Sequence, residues 1–287
     1  MLALLYCLFL LGCNNNDIPN HNQEGFWMQV GTTYVPNSKI DYYDFSTHTV
    51  YFKEEQSFFR DSDRGTFSVY VGDSKIYMGG ILPMSSDYAP AGIYINSSFM
   101  NKPQYELAIN FRQYGSQEIE DFRSDSRIID ALKSEGKYHA GLQVEIQSIR
   151  FLPNDKVSFD FQLTNNDTFN YLYLDPDKTG IGLFHYFTNG LSFYSEKDNQ
   201  RYNPKISIVS PDSWNVWKKE WLSVIQSGES KQFTITYDQF DPMPAGNYQA
   251  SFYFPGLQFY QVEMKDLNQK EGRIWLGSID SELNCSK

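Results

Sequence analysis

The chain has 287 residues, 41% hydrophobic and 21% charged, which is the usage of a folded protein with room for real cores. Aromatic residues reach 17%, with 22 Phe and 21 Tyr, a bias towards pleated, half-buried surfaces. Lys and Arg number 24 against 35 Asp and Glu, and a net charge of −11 repels phosphate backbones and argues against a nucleic-acid partner.

Residues 1–12 form an almost wholly apolar, uncharged run. It is shorter than the about 20 residues a membrane-crossing helix needs, so the expectation is a cleaved signal peptide. Its end, Leu10-Leu11-Gly12-Cys13, resembles the lipobox of bacterial lipoproteins. That resemblance implies diacylglycerol on the Cys13 thiol, cleavage in front of it, acylation of the new amino terminus, and a home on the bacterial cell envelope, at the outer membrane. No Lys or Arg precedes the run, which leaves open a start within a longer signal. Residues 13–24 then read as a polar, flexible tether, and several acyl chains on one cysteine anchor stably where one is marginal. Of the three cysteines, Cys7 leaves with the signal and Cys13 becomes a thioether. Cys285 remains as a free thiol in a tail expected to fray, with no intramolecular disulfide.

From Phe26 onward the dominant pattern is alternation. Leu142-Val144-Ile146, Val157-Phe159-Phe161-Leu163 and Phe233-Ile235-Tyr237 each put apolar side chains on one face of a strand. Pro153-Asn154-Asp155 supplies a turn between the first two. Further strands are expected at Thr47–Lys53, Thr66–Val71, Lys75–Leu82, Tyr105–Arg112, Phe169–Leu174, Ile206–Val209, Tyr248–Phe254, Gln258–Met264 and Arg273–Ile279. One helix is expected over Ser126–Gly136, with apolar Ile129 and Leu132 and a terminal glycine. The predicted class is all-β, an antiparallel β-sandwich of immunoglobulin-like type, in two units. The divisions are an N-terminal β domain at 25–115, a helical connector at 116–136 and a C-terminal sandwich at 137–287.

Two turn motifs carry the resemblance behind that fold. Pro90-Ala91-Gly92-Ile93-Tyr94 and Pro244-Ala245-Gly246-Asn247-Tyr248 share a Pro-Ala-Gly-x-Tyr pattern that resembles the entry to a late strand in immunoglobulin-like domains. The echo is either a duplication or a coincidence of turn chemistry. Residues 138–256 also order their turns in a way similar to bacterial immunoglobulin-like domains, including the intracellular proteinase inhibitor family. Tyr171–Tyr202 departs from that family, so inhibition is not carried over.

Catalytic motifs are sparse. Gly190-Leu191-Ser192 lacks the second glycine of a nucleophile elbow, and four histidines, His21, His48, His139 and His185, stand isolated. His48 and His185, within aromatic strands, read as structural. Asp61/Asp63 and Asp121/Asp125 read as solvated loops. No cofactor, metal or enzyme activity is expected. Asp175-Pro176-Asp177-Lys178-Thr179-Gly180 is a weak calcium candidate through Asp175, Asp177 and Thr179, but position twelve is Tyr186 where a bidentate Glu is needed. A plain turn explains the stretch equally well. Trp214, Trp217 and Trp221 would share one face if Asp212-Ser213 capped a short helix. That face is either an aromatic platform for sugar rings or core closing one end of the fold.

The sequence therefore predicts a lipid-anchored envelope protein with a non-catalytic binding or scaffolding role towards a protein partner. The alternative is a surface glycan-binding lipoprotein accessory to polysaccharide uptake.

Overall fold

The computed structural model describes residues 25–57, 65–83, 91–97, 104–113 and 118–287. The signal peptide, the tether, Cys7, Cys13, His21, Asp61 and Asp63 lie outside the described residues.

In chain order the first strands are β1 (Phe26–Val30), β2 (Thr33–Val35), β3 (Ile40–Asp44), β4 (Thr49–Gln56), β5 (Gly65–Val71), β6 (Ser74–Leu82), β7 (Gly92–Asn96), β8 (Gln104–Ala108) and β9 (Asn110–Arg112). Helix α1 (Ser126–Ser134) follows, then β10 (Tyr138–His139), β11 (Leu142–Leu152), β12 (Lys156–Asn165), β13 (Tyr171–Leu174) and α2 (Pro176–Phe184). The rest are β14 (Leu191–Ser195), β15 (Gln200–Tyr202), β16 (Leu222–Ile225), β17 (Ser230–Tyr237), β18 (Asn247–Pro255), α3 (Met264–Leu267), β19 (Asn268–Gln269), β20 (Gly272–Ile274) and β21 (Ser278–Ser286). Among the described residues no helix is long and apolar enough to cross a membrane.

Strand accounts for 52% and helix for 13% of the described residues, so the all-β class holds. The immunoglobulin-like β-sandwich does not. The strands form five small sheets, in the orders β2-β1-β5-β6-β7-β9, β10-β3-β4-β8, β11-β12-β17, β16-β13-β20-β19 and β15-β14-β18-β21. They are arranged as a five-blade β-propeller ring. Three of the pairings are parallel: β6 with β7, β10 with β3, and β13 with β20. The physical reason for the correction is that alternation reports which face of a strand is dry and is silent on its neighbours. In the second sheet both faces are covered. Tyr43, Val50 and Leu107 join one apolar cluster, and Tyr42, Tyr51 and Tyr105 join the other. Strand β13 is buried at all four positions.

Where alternation is strict, the expected strands form. In β12, Val157, Phe159, Phe161 and Leu163 are all buried, paired with β11 on one side and β17 on the other. The turn between β11 and β12 has Asn154 at φ 63° and Asp155 at φ 56°, the left-handed region that Asn and Asp tolerate. Helix α1 is capped by the Asp125 carboxylate, which accepts from the Arg127 N–H at 2.9 Å. Its dry stripe is Ile128 and Leu132, an i, i+4 pair at zero exposure, shifted by one from the expected Ile129.

Two expected strands do not form. Residues 206–209 are irregular, with Ile208 and Val209 exposed, and 258–263 make a tight turn. The expected strand Tyr105–Arg112 breaks at Ile109 and feeds two different sheets. The C-terminal tail does not fray: β21 pairs with β18 along its whole length, and Cys285, a free half-buried thiol, stands opposite Tyr248. The two Pro-Ala-Gly-x-Tyr turns differ in backbone, since Gly92 lies at φ 97° and Gly246 outside the left-handed region.

Candidate ligand-binding site

The pleat of the second sheet builds the floor of a cavity. Tyr51 of β4 pairs with Glu106 of β8, and Thr49 pairs with Ala108, so period-two geometry brings these four side chains to one face. Together with Ser97, Gln104 and Leu107 they line a cavity of about 210 Å³. Asn96 and Asn110 also line it, as do the turn Gln258-Phe259-Tyr260 and Leu276-Gly277 from much later in the chain.

The floor is dry and polar. Glu106 is 8% exposed, Gln104 5% and Ser97 1%. Burial pushes the Glu106 carboxyl up to about 7. The Ser97 hydroxyl makes no hydrogen bond among the described residues. Among the described residues the lining contains four amide side chains, three aromatic residues and one carboxyl group, and no Lys, Arg or His.

The wall opposite β8 is fixed by three hydrogen bonds. The Tyr105 hydroxyl donates to the Val262 carbonyl at 2.7 Å, tying the turn to β8. The Gln261 side chain accepts from the Gln258 N–H at 2.9 Å and donates to the Trp214 carbonyl at 3.3 Å. The Trp214 and Tyr260 rings meet at 5.4 Å between centroids, tilted by 52°. Both are exposed, at 47% and 39%, and Tyr260 lines the cavity.

The three tryptophans thus part company. Residues 212–217 form no helix; Ser213 bonds to the Asn215 side chain instead of capping, and Lys218 is extended. Trp214 is exposed, Trp217 packs half-buried against the larger core, and Trp221 is 7% exposed beside Phe187. The calcium candidate residues belong to α2. Asp175 is its cap, accepting from the Asp177 N–H at 2.9 Å, from the Ser223 hydroxyl and from the Tyr173 hydroxyl at 3.4 Å. Thr179 donates to the Asp175 carbonyl at 2.9 Å. Among the described residues no three His, Cys, Asp or Glu side chains stand close enough to hold a metal ion.

The histidines within the described residues are hydrogen-bonded. His48 Nδ1 lies 3.1 Å from the Tyr43 hydroxyl and His185 Nε2 lies 3.0 Å from that of Tyr237. Burial lowers both to about 4. His139 pairs with Asp167 at 2.8 Å.

The sequence pattern singled out Trp214, which packs on Tyr260, and gave no signal for Glu106, Ser97, Gln104 or Tyr260, which line the cavity. Glu106 lies between Tyr105 and Leu107, so alternation assigns it to a wet face. No local signal states that another part of the chain covers that face. Comparison with protein-family models finds no match, and comparison with curated proteins finds none either.

Proposed function

We propose that this protein is a non-catalytic, glycan-binding lipoprotein of the bacterial cell envelope. The observation that carries the reading is the exposed Trp214–Tyr260 pair beside a cavity whose floor holds Ser97, Gln104 and Glu106. Sugars present apolar C–H faces and many hydroxyls, so they suit a site with aromatic surface at the mouth and amide and carboxyl groups inside. Retaining and inverting glycosidases generally need two carboxyl groups, and this lining has one among the described residues. The anchor rests on Leu10-Leu11-Gly12-Cys13 alone. Membrane partitioning that survives Cys13→Ala overturns it.

The test is calorimetric and fluorescence titration with neutral, acidic and amino oligosaccharides. Binding that is weakened in Trp214→Ala and Tyr260→Ala, with melting temperatures unchanged, supports the reading. No response to any oligosaccharide overturns it.

A protein partner is the second reading, favoured by a separate patch. Ile181, Ile208 and Val209 are exposed, at 39%, 61% and 56%, and the Val209 N–H donates to the Gly182 carbonyl at 3.1 Å, bringing them together.

A further inference from the structure

We propose that the cavity selects a sugar unit carrying a free, positively charged amine, with Glu106 as the counter-charge. This rests on the glycan-binding reading and goes beyond it by naming the chemistry of the recognised unit.

Three features of the lining point the same way. The first is size: about 210 Å³ lies below the roughly 300–1,000 Å³ of ordinary ligand pockets, so the cavity takes one ring or the end of a chain. The second is charge. The lining holds one carboxyl group and no cation among the described residues, inside a chain of net charge −11. Uronic acids and phosphates are repelled there. A neutral sugar leaves the buried carboxyl without a counter-charge, which is costly when it ionises. An ammonium group supplies that charge from the ligand. The third is the aromatic wall. Tyr51, Phe259 and Tyr260 line the same space, and aromatic rings attract cations most where water is excluded.

The exchange is balanced in protons. Below about 7 the Glu106 carboxyl is protonated, and binding an ammonium group expels that proton to solvent. The titratable groups facing Glu106 are Tyr51 on β4, Tyr105 next to it and Tyr260 on the turn. Burial raises all three, so none titrates between pH 5 and 8.

The experiment compares three trisaccharide probes on the full-length protein: β-1,4-linked glucosamine, its fully N-acetylated form, and cellotriose. At pH 7 the free amine is expected to bind at least about tenfold more tightly than the other two, and at pH 6, where the sugar amine is charged and the Glu106 carboxyl still protonated, binding is expected to release a proton, read from the buffer dependence of the enthalpy. Glu106→Gln is expected to abolish the preference. In the wild-type protein the preference should shrink about tenfold or more between pH 7 and pH 5, a measurement that needs no variant to fold. Equal binding of all three sugars overturns the amine preference while the glycan reading stands. No binding by any sugar overturns both, unless N-acetyl-lysine amide binds and Glu106→Gln removes it; that result keeps the ammonium site and overturns the glycan reading alone.

Discussion

The Tyr105 hydroxyl and the Val262 carbonyl, 157 residues apart in sequence, meet in a buried hydrogen bond of 2.7 Å. This bond joins the strand that carries Glu106 to the turn that carries Tyr260, and so fixes the width of the cavity. Tyr105→Phe leaves the Val262 carbonyl unsatisfied at a cost of about 1–3 kcal/mol. Denaturant unfolding should register that loss, and amide exchange at Gln261 and Val262 should quicken. Unchanged exchange would mean that other contacts hold the turn.

Arg273 is clasped between two rings. Its guanidinium carbon lies 3.9 Å from the Tyr42 centroid and 4.9 Å from that of Phe169, and its Nε donates to Asn268 at 2.9 Å. A planar, delocalised cation stacks there and a compact ammonium cannot. Arg273→Lys is expected to destabilise by about 1–2 kcal/mol, measured by thermal or chemical unfolding. Wild-type stability in that variant would show that the stack contributes little.

Phe252 and Tyr253 are neighbours on opposite faces of β18. Phe252 is fully buried, 4.9 Å from the Phe159 ring and 4.7 Å from that of Phe161, whereas Tyr253 is 40% exposed. Phe252→Ala should cost about 3–5 kcal/mol through lost transfer energy and a cavity. Tyr253→Ala should stay within about 0.5 kcal/mol. Similar losses in both would contradict the register of β18 against β14.

Stability should depend on pH with two opposing slopes. Glu106 and Asp44 are raised by burial to about 7 and about 6, so the folded state holds protons that the unfolded chain has released. Their contribution is full below the ordinary carboxylate range and is lost as pH rises towards 7. His48 and His185 are lowered to about 4, so their contribution is present above about 6.5 and is lost as pH falls towards 4. Glu106→Gln should gain in melting temperature relative to wild type between pH 5 and 7 and level off above. A difference that does not change with pH would mean that Glu106 is solvated in the folded protein.

Where local chemistry sufficed, the elements were legible. The Asn154-Asp155 turn, the dry faces of β11, β12 and β17, and the terminus of α1 at Gly136 all follow from residue types at fixed spacing. Helix α2 was legible too, since Asp175-Pro176 is a cap followed by a first-turn proline, a signal that a calcium or turn reading passes over. The strands expected at 206–209 and 258–264 fail because apolar residues there are exposed or turned by side-chain bonds such as Gln261 to Gln258. The condition for a shared tryptophan face, a short helix capped at Asp212-Ser213, is not met, because Ser213 bonds within the loop.

By itself the sequence determined the all-β class, because alternation of apolar and polar side chains dictates a half-dry strand wherever it occurs. It determined turns such as Asn154-Asp155 and the end of α1 at Gly136, because these depend on residues within four positions of one another. Only the tertiary structure decided that the strands form five small sheets rather than immunoglobulin-like sandwiches, since sheet order depends on pairings such as Tyr138 with Tyr43 and Tyr171 with Arg273. It alone decided that Glu106 is dry, because the residues that cover it, Gln258 to Tyr260, come from more than 150 residues further along the chain. Desolvation is set by what packs on a side chain in space, and no local pattern of residues records it.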